Sequence, residues 1–193
     1  MAEAAEPLAS YGFLPRLGGS GVRLDLTGTA LDWTVGARAG HLALRDVRRV
    51  HLVFLPAKFA TASFEMRIEG RDGERVLASS ASRTALTRVE TQGPAYLAFV
   101  EAFHRAVVEA DGNVEWIAGY GRVRWWVMAV LGVLTLMALL VVLGMTLAEG
   151  QWVFSGLLVL FSAVLIWPMA EALWRNQPTV YPPSSPPPRL LPA

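Results

Sequence analysis

The sequence has no cysteine, which excludes disulfides, thiolate metal sites, iron–sulfur clusters and cysteine nucleophiles together. It has a single lysine, Lys58, so arginine carries nearly all of the basic charge, and 17 basic against 16 acidic side chains leave a net charge of +1. No polybasic field is present, so no nucleic-acid partner is expected. Charged residues are scarce at 17% while apolar ones reach 53%, a balance outside that of an ordinary soluble domain. The opening residues carry Glu3, Glu6, Pro7 and Pro15 in place of a basic segment followed by an apolar one. No signal peptide is expected, and the N-terminus should stay in the cytoplasm.

Catalytic and metal-binding signatures are missing as well. His41, His51 and His104 lie on separate predicted elements without a spacing such as H-E-x-x-H, and each reads as a surface or half-buried side chain. Leu17-Gly18-Gly19-Ser20-Gly21 does not extend into a phosphate-binding loop and reads as a flexible lead-in. Asp25 and Asp32 occupy the two arms of one hairpin without an apolar pocket to separate their pKa values. No G-x-S-x-G elbow occurs. The expectation is a protein without catalytic residues, cofactor or metal.

Long apolar runs are what the sequence has. Residues 125–148 are free of charge and, at ~1.5 Å per residue, exceed a hydrocarbon core of ~30 Å. After Glu149-Gly150-Gln151 a second uncharged run begins at Trp152 and lasts until Glu171. Both read as transmembrane helices, over 125–148 and 152–174, joined by a periplasmic turn at 149–151. Arg122 and Arg124 precede the first and Arg175 follows the second, whereas the turn carries only Glu149, which predicts cytoplasmic termini. Trp125, Trp126, Trp167 and Trp174 sit where inner-interface anchors belong, and Trp152 where an outer one does. Gly144 and Ala148 form a small-xxx-small pair, and Pro168 marks a kink or the membrane boundary of the second helix.

Upstream the period is two. Val22, Leu24 and Leu26 alternate with Arg23 and Asp25, and Leu31, Trp33 and Val35 alternate with Asp32 and Thr34, a hairpin turning near Gly28. Strands continue at His41 to Arg45, Val50 to Leu55, Phe64 to Glu69 and Val76 to Ser79, while Ala81 to Thr91 is ambiguous. Gly93-Pro94 then starts an amphipathic helix with Tyr96, Phe99, Val100, Phe103 and Val107 on one face. The predicted organisation is a flexible N-terminus (1–21), a mostly β cytoplasmic domain closed by that helix (22–111), a connector (112–124) with Trp116 and Tyr120 at headgroup level, the hairpin, and a cytoplasmic tail (175–193). With Pro178, Pro182, Pro183, Pro186, Pro187, Pro188 and Pro192, the tail should be polyproline II or disordered, a spacer or a recognition segment whose Leu190-Leu191-Pro192 end is an apolar foot.

Strands followed by one helix resemble the pleckstrin-homology (PH) superfold. The run LDWTVGARAGHLALRDVRRVHLVF resembles the bacterial PH-like domains, and the hairpin with the tail Asn176-Gln177-Pro178-Thr179-Val180-Tyr181-Pro182 is similar to bacterial membrane proteins of that architecture. The resemblance implies a mixed fold, a small PH-like β-barrel or sandwich capped by one helix and followed by a transmembrane hairpin, and it implies no activity. The first hairpin turn, Thr27-Gly28-Thr29, lacks the cations that bind phosphoinositides in PH domains. Arg45, Arg48, Arg49 and Lys58, near His51, form a loose basic group able to make weak contact with anionic lipid or a partner. The functional expectation is therefore a non-enzymatic scaffold or accessory protein of a bacterial inner membrane, embedded in the bilayer and binding a protein partner or a lipid surface. The alternative is a subunit of a transport or respiratory assembly that works through its hairpin.

Overall fold

The computed structural model describes residues 6–15, 19–56, 62–111 and 113–192 apart from 84–88. The chain divides into two units, Met1–Gly119 with Thr179–Ala193, and Tyr120–Pro178.

In the first unit, alternating apolar positions build β1 (Ala9–Phe13), β2 (Val22–Leu26), β3 (Ala30–Val35) and β4 (Arg38–Ala43), an antiparallel sheet in chain order. After a short 3-10 turn at Leu44–Asp46 come β5 (Val47–Leu55), β6 (Ser63–Gly70) and β7 (Arg75–Ser79). A small ribbon, β8 (Ala81–Arg83) with β9 (Val89–Thr91), resolves the ambiguous stretch. Helix α1 runs over Gly93–Glu109, with Pro94 in its first turn, where a missing N–H costs nothing. Two further strands, β10 (Glu115–Ala118) and β11 (Thr179–Val180), complete a five-stranded sheet of order β11-β10-β5-β6-β7.

One apolar core joins both sheets and α1: Leu24, Leu52, Met66, Phe99 and Phe103 are fully enclosed. Tyr11 stacks on Phe99 at 5.5 Å and donates its hydroxyl to the Ser79 carbonyl at 2.6 Å, which pins β1 to the far end of β7. Trp33 is half-buried at the margin of this core. Its indole lies over Gly40, where a Cβ would come within 2.3 Å of the ring, and its N–H donates to Glu74 at 3.0 Å. Only glycine permits that approach. Both large sheets are open among the described residues; the architecture is β-sheets with one amphipathic helix, then two long apolar helices.

Three segments differ from the sequence expectation. The N-terminal segment contributes β1, with Tyr11 and Phe13 buried. The connector contains β10, which lies parallel to β5, so Trp116 packs in the core instead of at a headgroup layer. The tail is ordered by its apolar residues despite its prolines: β11 pairs with β10 (Ile117↔Val180, Ala118↔Thr179), and Tyr181 and Leu190 are buried in the same core. Prolines cannot donate to a sheet, but a two-residue strand on an edge needs few donors.

The second unit is a helical hairpin, α2 (Arg122–Ala148) and α3 (Trp152–Arg175), with Gly150 at a positive φ of 71° in the turn. Both helices are long and apolar enough, by length and composition, to cross a membrane. Their close approach is at Gly132, where a Cβ would lie 2.9 Å from Met169, and not at Gly144, which faces open space. Near the turn the Thr146 and Ser155 hydroxyls lie 2.8 Å apart, and at the other end the Tyr120 N–H donates to the Asn176 carbonyl at 3.0 Å. Helix α3 continues through Pro168.

Candidate functional site

The outward face of the five-stranded sheet carries a connected set of charged side chains. Strand register places Glu115, Arg49, Glu69 and Arg75 directly side by side across β10, β5, β6 and β7. Signs alternate along this row, and the contacts are 2.7 Å from Arg49 to Glu115, 3.0 Å from Arg49 to Glu69 and 2.9 Å from Arg75 to Glu69. The next row is Ile117, His51, Arg67 and Leu77, with Arg67 paired to Glu65 at 2.8 Å and the His51 ring hydrogen-bonded to the Gly119 carbonyl. A shallow concavity of about 440 Å³ lies over β5, β6 and β7, lined by Arg49, His51, Arg67, Glu69, Arg75 and Leu77 among others.

Hydrogen bonding to Glu115 raises the Arg49 pKa, and hydrogen bonding to Arg75 lowers that of Glu69 against a smaller opposing effect of burial. Across the two rows three guanidiniums, of Arg49, Arg67 and Arg75, lie against three carboxylates, of Glu65, Glu69 and Glu115, so the formal charges balance. Such a surface offers hydrogen-bond donors and acceptors in fixed rows, with little net field to attract an anion.

Of the residues expected to contact lipid or a partner, Arg49 belongs to this ladder. Arg48 is exposed at the irregularity between Val47 and Arg49, and Arg45 is exposed on the 3-10 turn, 4.0 Å from Asp46. Lys58 lies outside the described residues. Glu69 and Arg67 were legible as outward-facing from their alternation in β6. Glu115 was not, because a parallel pairing between strands some sixty residues apart leaves no local pattern.

Asp25 and Asp32 turn out to be direct cross-strand neighbours, yet each has its own partner: Arg23 at 2.8 Å for Asp25, and the His41 ring at 2.6 Å for Asp32. Among the described residues no group of three or more histidine, aspartate or glutamate side chains could hold a metal.

A second cluster is buried. On α1, His104 Nδ1 lies 2.7 Å from the Val100 carbonyl and Nε2 lies 3.0 Å from the Tyr181 hydroxyl. A carbonyl only accepts, so Nδ1 carries the proton and the neutral ring accepts from Tyr181 at Nε2. The ring packs at 4.6 Å against Trp116, and burial pushes the His104 pKa down to about 4. From sequence this histidine reads as a surface or half-buried side chain; it is in fact buried. Its signal was its position one residue after Phe103 on the apolar face of α1, where Val100 and Val107 also point.

On the hairpin, Trp126, Trp152, Trp167 and Trp174 are exposed, while Trp125 is half-buried and donates to the Leu173 carbonyl at 2.9 Å. The Arg124 guanidinium sits 4.3 Å over the Tyr120 ring, and Arg175 pairs with Glu171 at 2.9 Å.

Comparison with protein-family models, curated proteins and solved structures gave no match for this chain.

Proposed function

We propose that the protein is a non-enzymatic, membrane-anchored interaction module: α2 and α3 cross a bacterial inner membrane as a hairpin, and the β-rich unit, with a PH-like fold, binds a protein partner on the cytoplasmic side. The observation that carries this reading is the hairpin itself, whose apolar windows are only 6% buried, so that almost all of their surface requires a nonaqueous solvent. The arginines at its two outer ends, against Glu149 in the turn, support cytoplasmic termini. Strands succeeded by one amphipathic helix support the PH-like assignment. The charge-balanced ladder favours a protein partner over an anionic headgroup, because fixed rows of paired donors and acceptors give register and specificity without a net field. Confinement to the bilayer raises the effective concentration of such a partner without demanding high intrinsic affinity.

Topology reporters placed before Met1 and after Ala193 should both register cytoplasmic, and one inserted at Gly150 periplasmic; the reverse pattern overturns the orientation. Photo-crosslinkers at Arg67 and Leu77 on the sheet face and at Leu157 and Phe161 on α3, in the full chain in native membranes, test the working surface. Protein adducts from the sheet positions are expected. Adducts from the α3 positions alone would move the function to the hairpin, and lipid adducts from the sheet face would replace the protein partner by a headgroup.

A further inference from the structure

We propose that residues 179–192 are a latch that closes the β-rich unit only after both helices have inserted, so that the finished fold reports correct insertion of the hairpin. This rests on the reading of α2 and α3 as membrane crossings.

The observations are in the first unit alone. Everything it needs except β11, Tyr181 and Leu190 precedes the hairpin in the chain: both sheets, α1, and β10 seated against β5. The missing pieces are central to its core. Leu190 is 0% and Tyr181 5% exposed, Tyr181 closes the hydrogen bond to His104, and its ring meets Trp116 edge-on at 6.0 Å. Gly93 at the start of α1 leaves room for Pro192, which would stand 3.2 Å from a Cβ there. Until the tail arrives, His104 and Trp116 lack this cover and one edge of β10 is unpaired. Two crossings return the tail to the side on which β10 waits. A single crossing strands it on the other side, and the open groove then presents apolar surface and a free strand edge to proteases.

The chain's lack of cysteine gives a direct readout. Ile117 and Val180 are opposed in register, so Ile117→Cys with Val180→Cys should form a disulfide on oxidation in membrane vesicles. A protease site inserted at Gly150 turns that disulfide into the sole covalent link between the two halves. The double variant Tyr181→Ala, Leu190→Ala should leave the chain resistant to alkaline carbonate extraction while residues 6–119 are cleaved roughly a hundredfold faster than in the unaltered chain. Arginines at Leu160 and Val164, which block insertion of α3, should abolish the disulfide and produce the same fast cleavage. The latch is overturned by cleavage at the unaltered rate in either variant. Carbonate extraction of the unaltered chain would instead remove the membrane reading beneath it.

Discussion

The two units use the same apolar residue types in opposite ways. In the β-rich unit the large apolar side chains point inward, and only Leu8, Val108 and Val180 among the described residues are broadly exposed. In the hairpin the direction is reversed, with Leu134, Leu160, Phe161 and Val164 all more than half exposed. Polar groups follow suit. The β-rich unit arranges charged side chains in cross-strand rows, whereas the Thr135, Thr146 and Ser155 hydroxyls of the hairpin bond to its own backbone, Thr135 to the Leu131 carbonyl at 2.8 Å. The β-rich unit thus buries its apolar surface within itself, whereas the hairpin leaves most of its own exposed.

The sharpest test of that contrast is in the core of the first unit. Phe103→Ala should cost ~3 to 5 kcal/mol, and Trp33→Ala about half as much, because Trp33 is only half enclosed. Denaturant unfolding of the full chain in detergent measures both; equal effects would misplace the core. The full chain is needed because a 22–111 fragment lacks Tyr11, Trp116, Tyr181 and Leu190.

Next in size is a charge on the apolar exterior. Leu134→Arg, near the middle of α2, should oppose insertion by ~2.5 to 3.5 kcal/mol, whereas Val108→Arg, similarly exposed on α1, should change stability by under ~0.5 kcal/mol. Carbonate extraction separates the two, and indifference to both would place the hairpin in water.

Acidification should divide the units as well. His104 is neutral when folded, with its pKa pushed down from 6.5 to about 4, so the unfolded chain takes up the proton first as the pH falls. Stability is intact above pH 6.5 and declines from there towards pH 4, by at most roughly 3 kcal/mol. Glu69, lowered by Arg75, acts in the same direction at still lower pH. His104→Phe should flatten the 6.5 to 4 window in a pH series of melts. Residues 125–148 and 152–170 hold no ionisable side chain and should show no such decline.

The smallest expected effect is that of Arg49→Gln. Its partners are partly exposed, so the loss should be under ~1 kcal/mol and should shrink further at high salt. A larger loss would mean that the ladder holds the sheet together.

Much of this fold was legible in the sequence wherever a period could be counted. Alternation gave β2 through β7 within a few residues, Gly93-Pro94 and the 3.6-residue spacing gave α1, and uncharged length gave α2 and α3. What escaped was short and paired at long range. β1 is five residues between prolines, β10 four, and β11 two in a tail whose composition argues against any strand. Their partners are chosen by the finished core, through Tyr11, Trp116, Tyr181 and Leu190, and no local pattern records that choice. The ladder was half visible for the same reason: β6 displays its outward charges, but Glu115 reaches Arg49 only once β10 has found β5.

The pairing of Ile117 with Val180 also has a consequence for engineering. Two strands that lie side by side are ordinarily joined by two residues, and here they are joined by the stretch 119–178. In connectivity terms the entire hairpin is a very long β-turn. Replacing it with Asn-Gly should yield a water-soluble β-rich protein whose chain is continuous, and whose surface can be assayed without a bilayer.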